Sequence, residues 1–291
     1  MKVLRKIERE FYRIKAQIFL SKEKRAAWLN EKIETLYSKE KHIFGISYSV
    51  FDGFELLEKS IQSLRNVVDY VNVVYQDVSW TGKQGDDNLL GVLQDLKTCG
   101  LIDEILKFEP DLTATAVENE KRKRNIGLGA AKKFGCDYFM TMDCDEFYLE
   151  DEVREAKQFI VKRGITHAYC PFVNYGLSPM TRLVEPAPAA VQFFCKINRF
   201  SHLGRGRRGK RIAIVDGTRV MSDLLFGKYF MVQCVKMHHM TYIRKNLTKK
   251  FVCSSWGGSM PPSTKEEIAA IISKAEKSLS VAVPNVFDIR I

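Results

Sequence analysis

Asp137-Tyr138-Phe139-Met140-Thr141-Met142-Asp143-Cys144-Asp145-Glu146-Phe147 is the stretch on which the reading of this chain turns, an apolar run that ends in two carboxylates one residue apart. Ligands of open α/β sheets bind beyond the carboxyl ends of the strands. Where a strand stops, the backbone can turn so that carboxylates at i and i+2 converge on one hard divalent cation instead of pointing the same way off a continuing pleat. A cation held there can neutralise a diphosphate. Alone, an Asp-x-Asp triplet is expected by chance roughly once in a few hundred residues. Its plain alternative is a solvated acidic turn capping a helix that begins near Glu150.

The surrounding pattern supplies the context. Upstream, Ile43 to Val50, Tyr70 to Tyr75 and Ile102 to Phe108 read as strands, and Phe54 to Leu64, Asn88 to Leu96 and Val117 to Phe134 as amphipathic helices between them. This β-α-β alternation predicts an α/β fold with a Rossmann-like mixed sheet, mostly parallel in its N-terminal half. Downstream of one more helix after Asp151, strands near Thr166 to Val173, Val191 to Phe200, Arg211 to Val215 and Tyr229 to Met237 have fewer helices between them, which predicts an antiparallel component. Residues 1–41 differ from the rest. Leu4, Ile7, Phe11, Ile14 and Ile18 recur at helical spacing among lysines and arginines, a basic amphipathic helical extension that suits either packing on the main domain or an anionic membrane surface.

Composition bounds the remaining classes. At 291 residues with 45% hydrophobic and 28% charged, the chain has material for a sizeable core and is neither disordered nor fibrous in character. No apolar run is long enough to span a bilayer and no secretory signal pattern is seen, so a cytoplasmic address is expected, with peripheral attachment to the inner face of the membrane through the basic helix. Seven cysteines without a C-x-x-C pair predict reduced, mostly buried thiols. A formal charge of +11 predicts attraction to phosphate in some form.

Lys123-Arg124-Asn125-Ile126-Gly127, a helix, and then Cys136-Asp137-Tyr138-Phe139 leading into Asp143-x-Asp145 resemble the donor-site segment of family 2-like glycosyltransferases of the GT-A fold, the bacterial surface-glycan type. Phe51 to Leu64 and Val73 to Ser79 resemble that family's first strand, turn and helix and its second strand, so the similarity covers roughly residues 42–150. A later segment, Met237-His238-His239-Met240-Thr241-Tyr242-Ile243-Arg244-Lys245, is similar to one in bacterial relatives: a histidine, a small hydroxyl residue, an aromatic and an arginine. The resemblance implies a donor half at 42–150, an acceptor half at 151–245 carrying a metal-site histidine, and a helical tail at 246–291. It implies Mn²⁺ or Mg²⁺ on Asp145 and His239, with Asp143 on the metal or the ribose. Arg124 and Asn125 would reach the donor's ribose or phosphates, and Ser47, Asp77 and Ser79 would line the nucleotide site. Glu185 and Glu146 are the candidate catalytic carboxylates, because an inverting transfer needs a base for the acceptor hydroxyl. For Arg124 the alternative is a solvated face, since residues 121–124 form a charge run.

Gly204-Arg205-Gly206-Arg207-Arg208-Gly209-Lys210-Arg211 is a glycine-rich basic loop whose arginines offer bidentate forks to phosphate, and Lys245 adds to the same positive rim. The expected activity is transfer of a sugar from a nucleotide-sugar donor, UDP-linked, to a hydroxyl of a glycan or lipid-linked acceptor in polysaccharide assembly. Two rivals stand beside it. The basic helix and loop equally suit nucleic acid, as a binder or base-modifying protein, and the same sheet and carboxylates suit a sugar-phosphate nucleotidyltransferase.

Overall fold

The structure is a computed structural model that describes residues 41–184, 190–204, 216–222, 228–245, 270 and 280–290. Its first half alternates strand and helix: β1 (Phe44–Val50), a 3₁₀ turn (Phe54–Leu56) running into α1 (Leu57–Arg65), β2 (Tyr70–Tyr75), α2 (Leu89–Thr98), β3 (Glu104–Lys107), α3 (Ala116–Phe134) and β4 (Tyr138–Met142). Every residue of β2 and β4 is buried, the continuous apolar pattern of strands covered on both faces. α3 starts with a reciprocal cap, in which Thr115 Oγ1 accepts from the Glu118 N–H while Glu118 reaches back to the Thr115 N–H.

The second half comprises β5 (Glu146–Phe147), α4 (Glu150–Lys162), β6 (His167–Asn174), β7 (Thr181–Leu183), β8 (Ala190–Lys196), β9 (His202–Leu203), a 3₁₀ turn (Gly217–Arg219), β10 (Met221–Ser222), β11 (Tyr229–Met231), β12 (Met237–His239) and β13 (Ser280–Ala282). One nine-stranded sheet runs through both halves in the order β3-β2-β1-β4-β8-β6-β12-β5, with β11 also on β6. The β3-β2-β1-β4 portion is parallel, and β8 enters antiparallel to both β4 and β6. The fold is therefore the mixed α/β sheet expected, parallel in its first half. The same sheet places the site: β12 lies antiparallel to β5 with His239 opposite Glu146, which brings a late histidine to the loop that follows β4.

The strand expected from Tyr229 to Met237 is two strands. β11 and β12 pair with successive parts of β6, and between them the Lys236 N–H donates to Glu152 on α4, pulling the chain out of line. The strand expected at 211–215 lies outside the described residues. So do nearly all of the N-terminal extension and most of the C-terminal tail, whose described part contributes the short strand β13 against β7. The cysteines that are described are all free thiols, with Cys136, Cys144, Cys170 and Cys195 buried.

Candidate active site

Two carboxylates one residue apart leave the end of β4 in different company. Asp143 accepts hydrogen bonds from Arg124 Nη2 at 3.1 and 3.3 Å and from Arg219 Nη2. Asp145, 2% exposed, pairs instead with Arg244, whose Nη2 lies 2.6 Å from Oδ2, while its Oδ1 faces His239 Nε2 at 3.7 Å. Neither acts as the cap of α4, whose N-cap position is Leu149 with no side-chain hydrogen bond.

Around Asp143 the chain builds a closed network. The Arg124 guanidinium donates to Thr141 Oγ1 at 3.0 Å, Thr218 Oγ1 at 3.2 Å and Glu120 Oε1 at 2.6 Å, and reaches Asp216 Oδ2 at 3.4 Å. Arg219 donates to Glu146 Oε2 at 2.7 Å and Asp216 Oδ2 at 2.9 Å. Burial alone would lower the pKa of both arginines, and the neighbouring carboxylates, Asp143 foremost, more than reverse that. Burial would raise Asp216, and Arg124 and Arg219 hold it well below the ordinary carboxylate range. Glu146, 2% exposed, is pushed up to about 7 by its burial, against the pull of Arg219. It also accepts from the Asp143 N–H at 3.0 Å. Glu146, expected as a candidate base, thus braces the Asp-x-Asp loop from inside through Arg219 and the Asp143 amide.

On the Asp145 side, His239 Nδ1 lies 2.8 Å from Asn174 Oδ1. A ring donating from Nδ1 to that amide oxygen presents its lone pair at Nε2, toward Asp145. Arg244 is 8% exposed and also sits 3.6 Å from Asp52 Oδ2. It rests on Gly53, which has φ +71°, and a Cβ there would overlap Nη1 and come within 2.5 Å of Cζ. Only a glycine in the left-handed region leaves the guanidinium that seat.

Several residues expected at a nucleotide make contacts within the chain. Ser47 is buried beneath α3, so close to Gly127 that a Cβ at that glycine would overlap its Oγ, and it is covered by the helix. Arg124 is not solvated, being 1% exposed and held in the network around Asp143. Asn125 ties α3 to β9, donating to Leu203 O at 3.1 Å and accepting from the Leu203 N–H at 2.9 Å. Asp77, half-buried two residues beyond β2, lies in an ion pair with Lys107 at 2.8 Å, and Ser79 closes its own turn by accepting from the Thr81 and Lys83 N–H groups. Lys245 is exposed and its backbone N–H donates to Glu55. Glu185, Arg205, Arg207 and Arg208 lie outside the described residues.

Sequence reasoning passed over Glu120, Asn174, Asp216, Arg219 and the pairing of Arg244, and it gave Lys123 no role. Lys123 is 2% exposed and donates to Val50 O at 2.7 Å with its Nζ 5.8 Å from the Trp80 ring centre, and burial lowers it to about 7. Its inward face was readable: Lys123 and Arg124 lie one helical turn before Gly127 and Leu128, which are buried on the same side. Nothing local marks Asn174 or Arg219.

Asp145 and His239 suit a divalent cation, since Oδ1 and Nε2 face each other across 3.7 Å and Asn174 orients the imidazole. Asp143 does not join them: among the described residues no three acidic, histidine or cysteine side chains gather as a ligand set. Hard cations that serve phosphates are commonly held by one or two protein groups, with the remaining ligands coming from substrate and water.

The fold and site define an α/β protein with an acidic, arginine-braced centre at the carboxyl ends of its parallel strands. No protein-family model matches the chain, and no curated protein matches it. Among solved structures it is similar to S. aureus TarS at 14% identity over 45% of this chain and 22% of that one, with a TM-score of 0.35. It is similar to the 1–349 portion of TarS in complex with UDP at 14% identity over 45% and 36%, with a TM-score of 0.35. It is similar to GalNAc-T7 with UDP, GalNAc and Mn²⁺ at 10% identity over 72% and 46%, with a TM-score of 0.41. The chain thus spans less than half the length of each of these proteins.

Proposed function

We propose that the chain is a metal-dependent glycosyltransferase that moves a sugar from a UDP-linked donor to a hydroxyl of a glycan or lipid-linked acceptor. The observation that carries this reading is the facing pair Asp145 Oδ1 and His239 Nε2 beyond the end of β4, in a segment whose sequence resembles a donor site. Mn²⁺ or Mg²⁺ bound there supplies charge stabilisation to a leaving diphosphate. The chain's own part is positional. Asn174 fixes the imidazole, Arg124 and Arg219 clamp Asp143, and Glu146 fastens the loop to Arg219, so the acidic tip enters a reaction already oriented. Arg244 stands within reach as a second cation for phosphate.

We place the protein in the cytoplasm at an anionic membrane face, held by the basic N-terminal segment. Flotation with liposomes containing or lacking anionic lipid tests this, and equal recovery in the soluble fraction from both counts against it. The activity is tested by following nucleoside diphosphate release from a panel of nucleotide sugars with Mn²⁺. Asp145→Asn, nearly isosteric, should reduce turnover by about a hundredfold or more at unchanged secondary structure. Normal transfer by that variant would remove Asp145 from the mechanism, and release of pyrophosphate would identify a nucleotidyltransferase instead.

A further inference from the structure

Arg244 is paired with the same carboxylate that, with His239, would hold a divalent cation. The guanidinium holds Asp145 Oδ2 at 2.6 Å, 8% exposed, on the side of the carboxylate away from His239. Its grip is otherwise incomplete. Asp52 stands off at 3.6 Å, and the buried Nε has no hydrogen-bond partner, although a guanidinium presents five donors in a fixed fork. A buried donor left unmade is costly, so the arginine is seated but not satisfied. Gly53 shapes that seat, since any side chain there would fill it. Among the described residues, six carboxylates, Asp52, Glu120, Asp143, Asp145, Glu146 and Asp216, lie in ion pairs with three guanidinium groups, those of Arg124, Arg219 and Arg244.

We propose that Arg244 is a placeholder for the cation: it holds Asp145 in the donor-free protein and passes its guanidinium to the donor's diphosphate when a divalent ion takes that carboxylate. This rests on the glycosyltransferase reading and goes beyond it by assigning a residue that couples metal to donor. Guanidinium forks match phosphate as well as carboxylate, and leaving Asp145 would give Nε the acceptor it lacks.

The test uses the full chain, Mn²⁺ and UDP. Mn²⁺ affinity is measured by electron paramagnetic resonance without UDP, and UDP affinity by calorimetry at saturating Mn²⁺, with circular dichroism as a check of fold. In Arg244→Gln the two should move in opposite directions: Mn²⁺ binds about tenfold tighter and UDP about tenfold weaker, within the usual span of coupling between sites. Gly53→Ala evicts the guanidinium without deleting its charge, and should also tighten Mn²⁺ binding in the absence of UDP. It supplies the answer if Arg244→Gln fails to fold. Unchanged Mn²⁺ affinity in both variants, or a parallel fall in both affinities in Arg244→Gln, would overturn the exchange while leaving the glycosyltransferase reading intact. Failure of the unaltered protein to bind UDP, with and without Mn²⁺, would overturn both.

Discussion

Replacing Arg219 with methionine tests whether the network around Asp143 is held from inside. Arg219 is 5% exposed and contacts three carboxylates: Glu146 at 2.7 Å, Asp216 at 2.9 Å, and Asp143. Methionine fills the stem's volume and leaves those three without their shared partner. Asp143 and Asp216 retain Arg124, and each side chain is about a third exposed, so water screens much of their loss. Glu146 is 2% exposed and keeps only the Asp143 amide. Breaking a buried pair from one side costs about 3–5 kcal/mol, and with one of three carboxylates fully buried we expect about 3 kcal/mol at pH 8. The sign of the pH dependence follows from Glu146. Burial raises it from 4.5 to about 7 in the folded protein, so its stabilising contribution is full below 4.5 and lost as pH rises through 7. Removing Arg219 takes away the main opposing pull and moves that window higher. Urea unfolding at pH 8 and pH 5.5 should therefore show a deficit smaller by about 1 kcal/mol at the lower pH. The double variant Glu146→Gln, Arg219→Met should recover part of the loss at pH 8. A deficit identical at both pH values, with no recovery in the double variant, would refute the assignment of Glu146 as the buried charge that Arg219 carries.

Lys123→Met should stabilise the protein by about 2 kcal/mol at pH 7. Burial lowers Lys123 from 10.5 to about 7, so its folded-state penalty is full below 7 and disappears toward 10.5; an advantage that persists unchanged at pH 10.5 would contradict this. Gly127→Ala should cost about 1–3 kcal/mol through overlap with Ser47, and Ser47→Gly in the same chain should restore most of it in urea titrations. Asn174→Ala frees the His239 ring and should weaken Mn²⁺ binding by about 10–100-fold in the presence of UDP; an unchanged affinity would remove His239 from the site.

What was legible in the sequence was whatever local pattern determines. Tyr70–Tyr75 and Tyr138–Met142 emerge with the boundaries their apolar runs predict, because strands buried on both faces have no alternation to blur their ends. α3 begins one residue before its expected start, at a cap written in Thr115 and Glu118. The partners of the two central aspartates were not legible. Arg219 lies 76 residues from Asp143, and Arg244 lies 99 residues from Asp145, so each pairing is set by the sheet's return path and by no local spacing. Residues 121–124 misled for a different reason. A charge run suggests a wet face, yet the helix turns Lys123 and Arg124 inward, where Thr141, Thr218 and three carboxylates make burial of the arginine tolerable.

The two aspartates then divide the work by what surrounds them. Asp143 is gripped by two arginines that are themselves pinned to Glu120, Glu146 and Asp216, so moving it would disturb charges across α3, β5 and the 217–219 turn. Asp145 pairs with Arg244, which rests on a glycine, next to a histidine that Asn174 orients. Under the proposed exchange, a rigid carboxylate beside an exchangeable one suits a centre that binds and releases a cation and an anion in each cycle. In that proposal the rigid partner keeps the loop in place, and the exchangeable one meets the ligand. Freezing Asp145 as firmly as Asp143 would leave a more stable acidic knot with no reason to open for a donor.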